Sequence, residues 1–401
     1  MTGITSAGEV TMRPPALSPA LLARCAERAP RYDRENTFCQ EDYEELRDAG
    51  YLTLAVPADL GGGGCSFSEL LAETRRLAYH AAPTALALNM HHYWVGVASD
   101  LRRFGDSSLE WILRRAAAGD VFAAGHAEPG NDLPVLLSTT RAERVDGGYK
   151  FYGRKSFGSL SPVWDWLGIH GMDTSDPQAP KTVHAFLRRS SGGYRIVDTW
   201  DTLGMRATRS DDTVLEGAFV PDEEVARVLP AGPAGLDLFI LAVFARALLG
   251  FANVYYALAC RVRDVIVGYV REKTSLAVPG GMARHPEVQR GIAEIVMQIE
   301  ALGPHLDALA RDWDAGVDHG GPAWVLKIVS AKHRAVEAAW QIADRALDLS
   351  GGFGMFKRSE LERLFRDARA GRFHPANDML THELVGKIAL GVDMTASPRW
   401  A

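Results

Sequence analysis

Cysteine is scarce in this sequence, with four in 401 residues. Cys25, Cys39, Cys65 and Cys260 stand too far apart for any Cys-x-x-Cys pair. That spacing excludes a zinc ribbon and gives no disulfide framework, so four free thiols in a reducing cytoplasm are expected. Cations are also short: 44 Lys and Arg face 50 Asp and Glu, a formal charge of −6. Without a long basic run, nucleic acid is excluded as the main partner. The first eighteen residues have neither a basic n-region nor an apolar h-region and are expected to form a loose tail rather than a signal peptide. No His-Glu-x-x-His spacing occurs, and no metal is expected. A glycine-rich turn of the G-x-G-x-x-G kind is missing near the start, which argues against a nicotinamide-type dinucleotide fold. The longest apolar stretch, "DLFILAVFARALLGFANVYYALAC", is broken by Arg246 and Asn253. It is too polar for a membrane span and suits a helix buried in a bundle.

What is present, 47% hydrophobic and 23% charged residues, is the balance of a globular chain large enough for several packed units. Beyond the tail over 1–18, residues 19–120 carry apolar side chains at three- and four-residue steps, the helical period. Residues 121–230 change to short runs rich in Val, Thr, Phe and Tyr between glycine-bearing turns, which predicts an antiparallel sheet. Two hairpins are expected, in "LLSTTRAERVDGGYKFYGRKSF" and in "TVHAFLRRSSGGYRIV". From 231 to 401 the helical period returns. The fold class is α+β, and a sheet between two helical bodies leaves a cleft where ligands bind. Gly61 to Gly64 lack the Lys-Ser/Thr and the strand of a phosphate-binding loop and read as a plain glycine turn.

Five stretches, in order, carry a resemblance: "VPADLGGGG", "GHAEPGND", "GRKSFGSLS", "WDTLGMRATRSDDTVLEGAFVPDEEV" and "SGGFGMFKRSELERLFRDAR". Over about residues 40 to 391 the chain resembles the acyl-CoA dehydrogenase superfamily. The likeness implies an N-terminal helical domain, a middle antiparallel β domain and a C-terminal four-helix bundle, with a flavin between sheet and bundle. It implies a homotetramer, since the family's flavin site borrows from a neighbouring subunit. His126, Ala127, Glu128, Phe157, Ser159, Lys273, Gly351, Gly352 and Asn377 are the implied flavin-binding set. Ala127 replaces the threonine of the family's Thr-Glu-Pro motif. Lys273, Leu276 and Ala277 stand where the family has Arg-x-x-Phe-Gly, and a lysine lacks the planar fork that grips a pyrophosphate.

Dehydrogenase chemistry needs a base for the proton alpha to the thioester, and the family uses a glutamate. Its usual position after the Arg-Asp-Ala signature is Pro375 here, and at the alternative position Phe239 or Ile240 stands, with Asp237 the nearest reserve. His374 precedes the vacated place. In this respect the chain resembles the two-component flavin monooxygenases of the superfamily, in which reduced flavin and oxygen give a C4a-hydroperoxyflavin. The positions that branch uses look like His374, Ser159 and His92, with His91 the alternative. The bland readings stand beside these: His374 as a residue that ends a helix, and His91 and His92 as satisfied core histidines. The expectation is thus a monooxygenase acting on a small organic substrate, fed reduced FMN or FAD by a separate flavin reductase. The alternatives are an acyl-CoA or acyl-carrier-protein dehydrogenase that holds FAD, has a non-standard base and passes electrons to an electron-transfer protein, and a non-catalytic flavin- or acyl-binding subunit. No nucleic acid or membrane partner is expected, and the compartment is the cytoplasm.

Overall fold

Helix α1 (Pro19–Glu35) starts where the Ser18 hydroxyl accepts from the Leu21 N–H and proline takes the first helical position. Residues 16–316 and 322–393 are described in the computed structural model. The expected tail over 1–18 lies outside them up to residue 15. Residues 16–18 are not loose: Leu17 is fully buried and its N–H donates to Glu73.

Helix α2 (Gln40–Asp48) leads to the glycine turn. There the Gly62, Gly63 and Gly64 amides donate to the carbonyls of Pro57, Thr53 and Val56. Those N–H groups are spent inside the turn, so no phosphate cradle exists. Helix α3 (Phe67–Arg103) opens with a Ser66/Glu69 capping box and kinks at Ala81, just before Pro83. Nearly every side chain from Leu77 to Ala98 is buried, which makes α3 the central pillar. The short α4 (Glu110–Ala117) follows.

The middle region supplies β1 (Phe122–Gly125), β2 (Arg141–Val145), β3 (Gly148–Lys155), β4 (Trp166–Asp173), β5 (Lys181–Arg188), β6 (Tyr194–Val197), β7 (Asp212–Pro221) and β8 (Val225–Pro230). They form one sheet in the order β6-β7-β3-β2-β4-β5-β8, with β1 beside β4. Two expectations are corrected here. The sheet is mixed, because β1 runs parallel to β4. Only the first hairpin forms, β2 with β3 across Asp146-Gly147; β5 pairs with β4 and β8, while β6 pairs with β7 at the far edge. The glycine turn at 191–193 looks like a hairpin turn in sequence, but pairing is decided by which faces can be buried.

Helix α3 seats on this sheet through Trp94, whose indole N–H donates to the Ala123 carbonyl (3.0 Å). A Cβ on Gly168 of β4 would lie 2.4 Å from that indole, so the strand needs a glycine there. After the sheet come α5 (Leu238–Phe244), a π turn (Ala245–Leu249) and α6 (Gly250–Glu272), continuous as one 35-residue helix whose apolar stretch is largely buried in the protein. At the π turn Arg246 makes a two-pronged pair with Asp100 of α3 (2.6 and 2.7 Å), and Trp313 donates to the same carboxylate. Helices α7 (Pro286–Asp314), α8 (Pro322–Ser350), α9 (Glu360–Ala370) and α10 (Asp378–Leu390) complete the helical end.

The motif stretches prove to be mutual contacts. Asp367 is buried in α9 and accepts the Met205 N–H (2.6 Å), while Arg366 pairs with Asp33 of α1. A Cβ on Gly204 would fall 2.3 Å from the Arg366 carbonyl. Arg206 donates to the Asp33 and Thr202 carbonyls, a structural role.

Candidate active site

Sheet, pillar and bundle enclose a cavity of about 720 Å³. Its wall is mostly apolar: Leu86 and Met90 of α3, Val243, Phe244 and Leu248 around the π turn, Val325 and Val329 of α8, and Leu380 and Leu384 of α10. Polar groups enter at three places, the loop after β1, the end of β3 and the turn between α9 and α10.

At the first, Ser156 donates its N–H to the Ala127 carbonyl (2.9 Å), which sets residues 126–128 beside the end of β3. Glu128 touches the cavity, but its two oxygens are engaged behind it. They accept from Asn131, Ser138, the Thr139 and Thr140 N–H groups, the Thr140 hydroxyl and Lys155 Nζ (2.5 Å). Burial would raise this carboxyl, but the Lys155 charge and these donors hold it down at about 2. Burial pushes Lys155 down to about 8 in spite of Glu128. Both therefore stay charged at neutral pH, and Glu128 acts as an anchor for the loop. Glu128→Gln leaves Lys155 buried without a countercharge and should lower stability by about 3–5 kcal/mol. Adding Lys155→Met should recover most of it. Urea melts read both, and a loss below 1 kcal/mol in the single variant would refute the anchor.

His126 is buried on the same wall. The Tyr93 phenol, which burial keeps protonated, is hydrogen-bonded to its Nδ1 (3.1 Å). His92, expected at the site, does not line the cavity; it is buried edge-on against Tyr51, with no hydrogen-bond partner for either ring nitrogen. His91 is a satisfied core histidine, held by the Leu52 carbonyl (2.9 Å) and the Phe122 N–H (3.1 Å). The helix turns Met90 and Tyr93 to the cavity instead, one step either side of the pair.

At the second place Phe157 has φ +54°, which turns the chain out of β3 and leaves its half-exposed ring against Trp200. Ser159 follows on the wall, its hydroxyl 2.7 Å from that of Ser210, which is 2.7 Å from that of Thr208.

The third is the turn after α9. His374 lies on the wall with its ring stacked on Phe251 (4.4 Å between centroids, 19°). Its Nε2 is 2.8 Å from the buried Tyr255 hydroxyl. Burial raises that phenol well above its usual value, so Tyr255 stays protonated beside the ring. Burial, then the nearby Lys332, push His374 down to about 3. Lys332, itself lowered to about 7 by burial, donates to the His374 (2.7 Å) and Ala376 (2.9 Å) carbonyls and so pins the turn. Asn377 lines the cavity and caps α10 by accepting from the Leu380 N–H. On the outer side His333, Asp378 and exposed His382 cluster, a grouping that no linear spacing displays.

The structure therefore brings His126, Ala127, Glu128, Phe157, Ser159, His374 and Asn377 around one cavity. Lys273, Gly351 and Gly352 do not join them. Lys273 Nζ donates to the Ser350 carbonyl (2.9 Å), and the two glycines are exposed beside it. Asp237 is no reserve base, because its carboxylate caps α5 by accepting from Ile240. Tyr93, Lys332, Tyr255, Ser210 and Thr208 were not foreseen. All but Lys332 are uncharged, and all but Thr208 are distant in sequence from the group each one touches.

An isoalloxazine fits what is here: an apolar slot with a hydroxyl on one wall and a partnerless buried nitrogen, His126 Nε2, on another. Two family models match the chain: "Acyl-CoA dehydrogenase, N-terminal domain" over residues 20–119 and "Acyl-CoA dehydrogenase, C-terminal domain" over 243–379, together more than half of it. A putative acyl-CoA dehydrogenase, YdbM of Bacillus subtilis (strain 168), is 28% identical over 90% of this chain and 92% of its own. Dibenzothiophene monooxygenase of Rhodococcus erythropolis is 28% identical over 94% and 93%. Among solved structures, KijD3 in complex with FMN and dTDP-3-amino-2,3,6-trideoxy-4-keto-3-methyl-D-glucose superposes with a TM-score of 0.82. It is 26% identical and covers 93% of this chain and 92% of its own.

Proposed function

The chain belongs to the acyl-CoA dehydrogenase superfamily, and on that premise we propose that it is a flavin-dependent monooxygenase, fed reduced flavin by a separate reductase. One observation carries the reading. The place where a dehydrogenase keeps its carboxylate base is Pro375, and an uncharged imidazole, His374, stands on the wall beside it. The wall's carboxylates do not replace the base. Glu128 is saturated, while Asp132 and Asp393 are exposed to water, where a carboxylate is a poor base toward a carbon-bound proton.

Reduced flavin, when bound, activates dioxygen and supplies one oxygen atom to the substrate. Ala127, Phe157, Ser159 and Asn377 are the residues placed to hold its ring system. The apolar helices exclude water from the reacting edge, and we read the Tyr255 contact as donation to Nε2, which leaves His374 an uncharged ring with its proton on Nδ1. The substrate class that suits this wall is a small organic molecule with an oxidisable nitrogen, sulfur or aromatic carbon. The exposed apolar side chains Leu276, Phe353, Met355 and Phe356 suit a contact between copies of the chain, and the homotetramer is what the family likeness implies.

The test mixes protein and anaerobically reduced FMN or FAD with labelled oxygen and a panel of amines, sulfides and phenols. Label in the product is expected, and no bleaching of oxidised flavin by acyl thioesters. Bleaching without oxygenation would return the chain to the dehydrogenase reading, which the likeness to YdbM favours.

A further inference from the structure

Three hydroxyls on the cavity wall, those of Ser159, Ser210 and Thr208, form a chain whose direction is fixed at one end. The Thr208 hydroxyl lies 2.8 Å from the Met205 carbonyl oxygen. A carbonyl has no hydrogen to give, so Thr208 donates its only one there. The 2.7 Å contact between Thr208 and Ser210 then needs the Ser210 hydrogen. The 2.7 Å contact between Ser210 and Ser159 needs in turn the hydrogen of Ser159. Every hydrogen in the chain is committed within it, to the next hydroxyl or to the Met205 carbonyl, so none is left to point into the cavity that all three buried residues line. Ser159 is left with lone pairs only, made more negative because it donates into a chain of hydroxyls. The Met205 end is held in turn by its own N–H on Asp367.

We infer that Thr208 and Ser210 are positioning residues that make Ser159 a pure hydrogen-bond acceptor, so that the cavity selects the reduced over the oxidised form of its flavin. The inference rests on the flavin reading above. Reduced isoalloxazine carries an N–H at its central ring where the oxidised form carries a lone pair. An acceptor-only hydroxyl gains a bond with the first and meets repulsion from the second. Such a wall suits an enzyme that takes up flavin already reduced and lets it go once oxidised.

The test is anaerobic titration of the full chain with oxidised and with dithionite-reduced FMN, comparing the ratio of the two dissociation constants. Wild type should favour reduced FMN. Ser210→Ala frees the Ser159 hydrogen, and Thr208→Val lets the chain reverse, so each should shrink the preference by about tenfold, equivalent to about 30 mV in the bound flavin's potential. Thr208→Ser can still donate to Met205 and should keep the wild-type ratio, which separates chain direction from mere packing. An unchanged ratio in both Ser210→Ala and Thr208→Val, with circular dichroism showing folded protein, overturns the inference and leaves the proposed function standing. Failure of wild type to bind either form of FMN, and likewise either form of FAD, overturns both.

Discussion

His374→Ala is expected to lower product formation by about a hundredfold or more while the affinity for reduced flavin stays within a few-fold of wild type. The reasoning is local. The His374 ring is on the cavity wall, its Nε2 is held by Tyr255, and its backbone carbonyl is held by Lys332 independently of the side chain. Removing the imidazole therefore leaves the turn in place and deletes one hydrogen-bonding group. Because burial keeps His374 uncharged down to about pH 3, the wild-type rate should show no step near pH 6.5 from this group. A variant turning over at the wild-type rate, or a clear wild-type step near 6.5 that the variant abolishes, would remove His374 in its neutral form from the chemistry.

Acidification of the unliganded chain from pH 7 to 5 should unfold it. Five buried histidines and the half-buried His374 have lowered pKa values, all by loss of solvation first: His91 at about 4, His184 and His374 at about 3, and His92, His126 and His170 well below the ordinary value. For each, the unfolded chain gains a proton near pH 6.5 that the folded chain refuses. The stability they contribute is complete above 6.5 and is lost as pH falls. Asp42 and Asp367 oppose this, since burial raises both to about 6 and the folded state then holds their protons down to the ordinary carboxylate range. Near pH 5 the balance is an uptake of roughly four protons on unfolding. At about 1.4 kcal/mol per proton per pH unit this erodes roughly 5 kcal/mol for each unit, against a total stability of about 5–15 kcal/mol. Far-ultraviolet circular dichroism against pH, with potentiometric proton counting, checks it. A helical signal intact at pH 4.5 would show that the buried histidines are hydrated or paired in solution.

Much of the fold was legible because its signals are local. The helical period, the capping serines and Asp146-Gly147 act within a few residues, and the five motif stretches name the elements in order. The motifs also marked the cavity: Ala127, Phe157 and Ser159 belong to two stretches joined by the Ser156 N–H on the Ala127 carbonyl, while His374 was found from the base position that follows the last motif. Two kinds of information were not local. Strand pairing depends on burial across the whole sheet, so a good turn at 191–193 misled about β5 and β6. Rotation about a helix axis is about 100° per residue, so an uncertainty of one position in α3 was enough to credit His92 with a place that Met90 and Tyr93 hold. Lys332 and Tyr255 were illegible for a third reason, since each acts on a turn more than forty residues or a whole helix away.

The separation of β5 from β6 bears on how the chain is made. Strand β6 finds its partner only when β7 has been synthesised, and β3 waits for the same strand, so the sheet cannot close by adding neighbours in turn. Until residue 230 has left the ribosome, open strand edges are available to any passing chain.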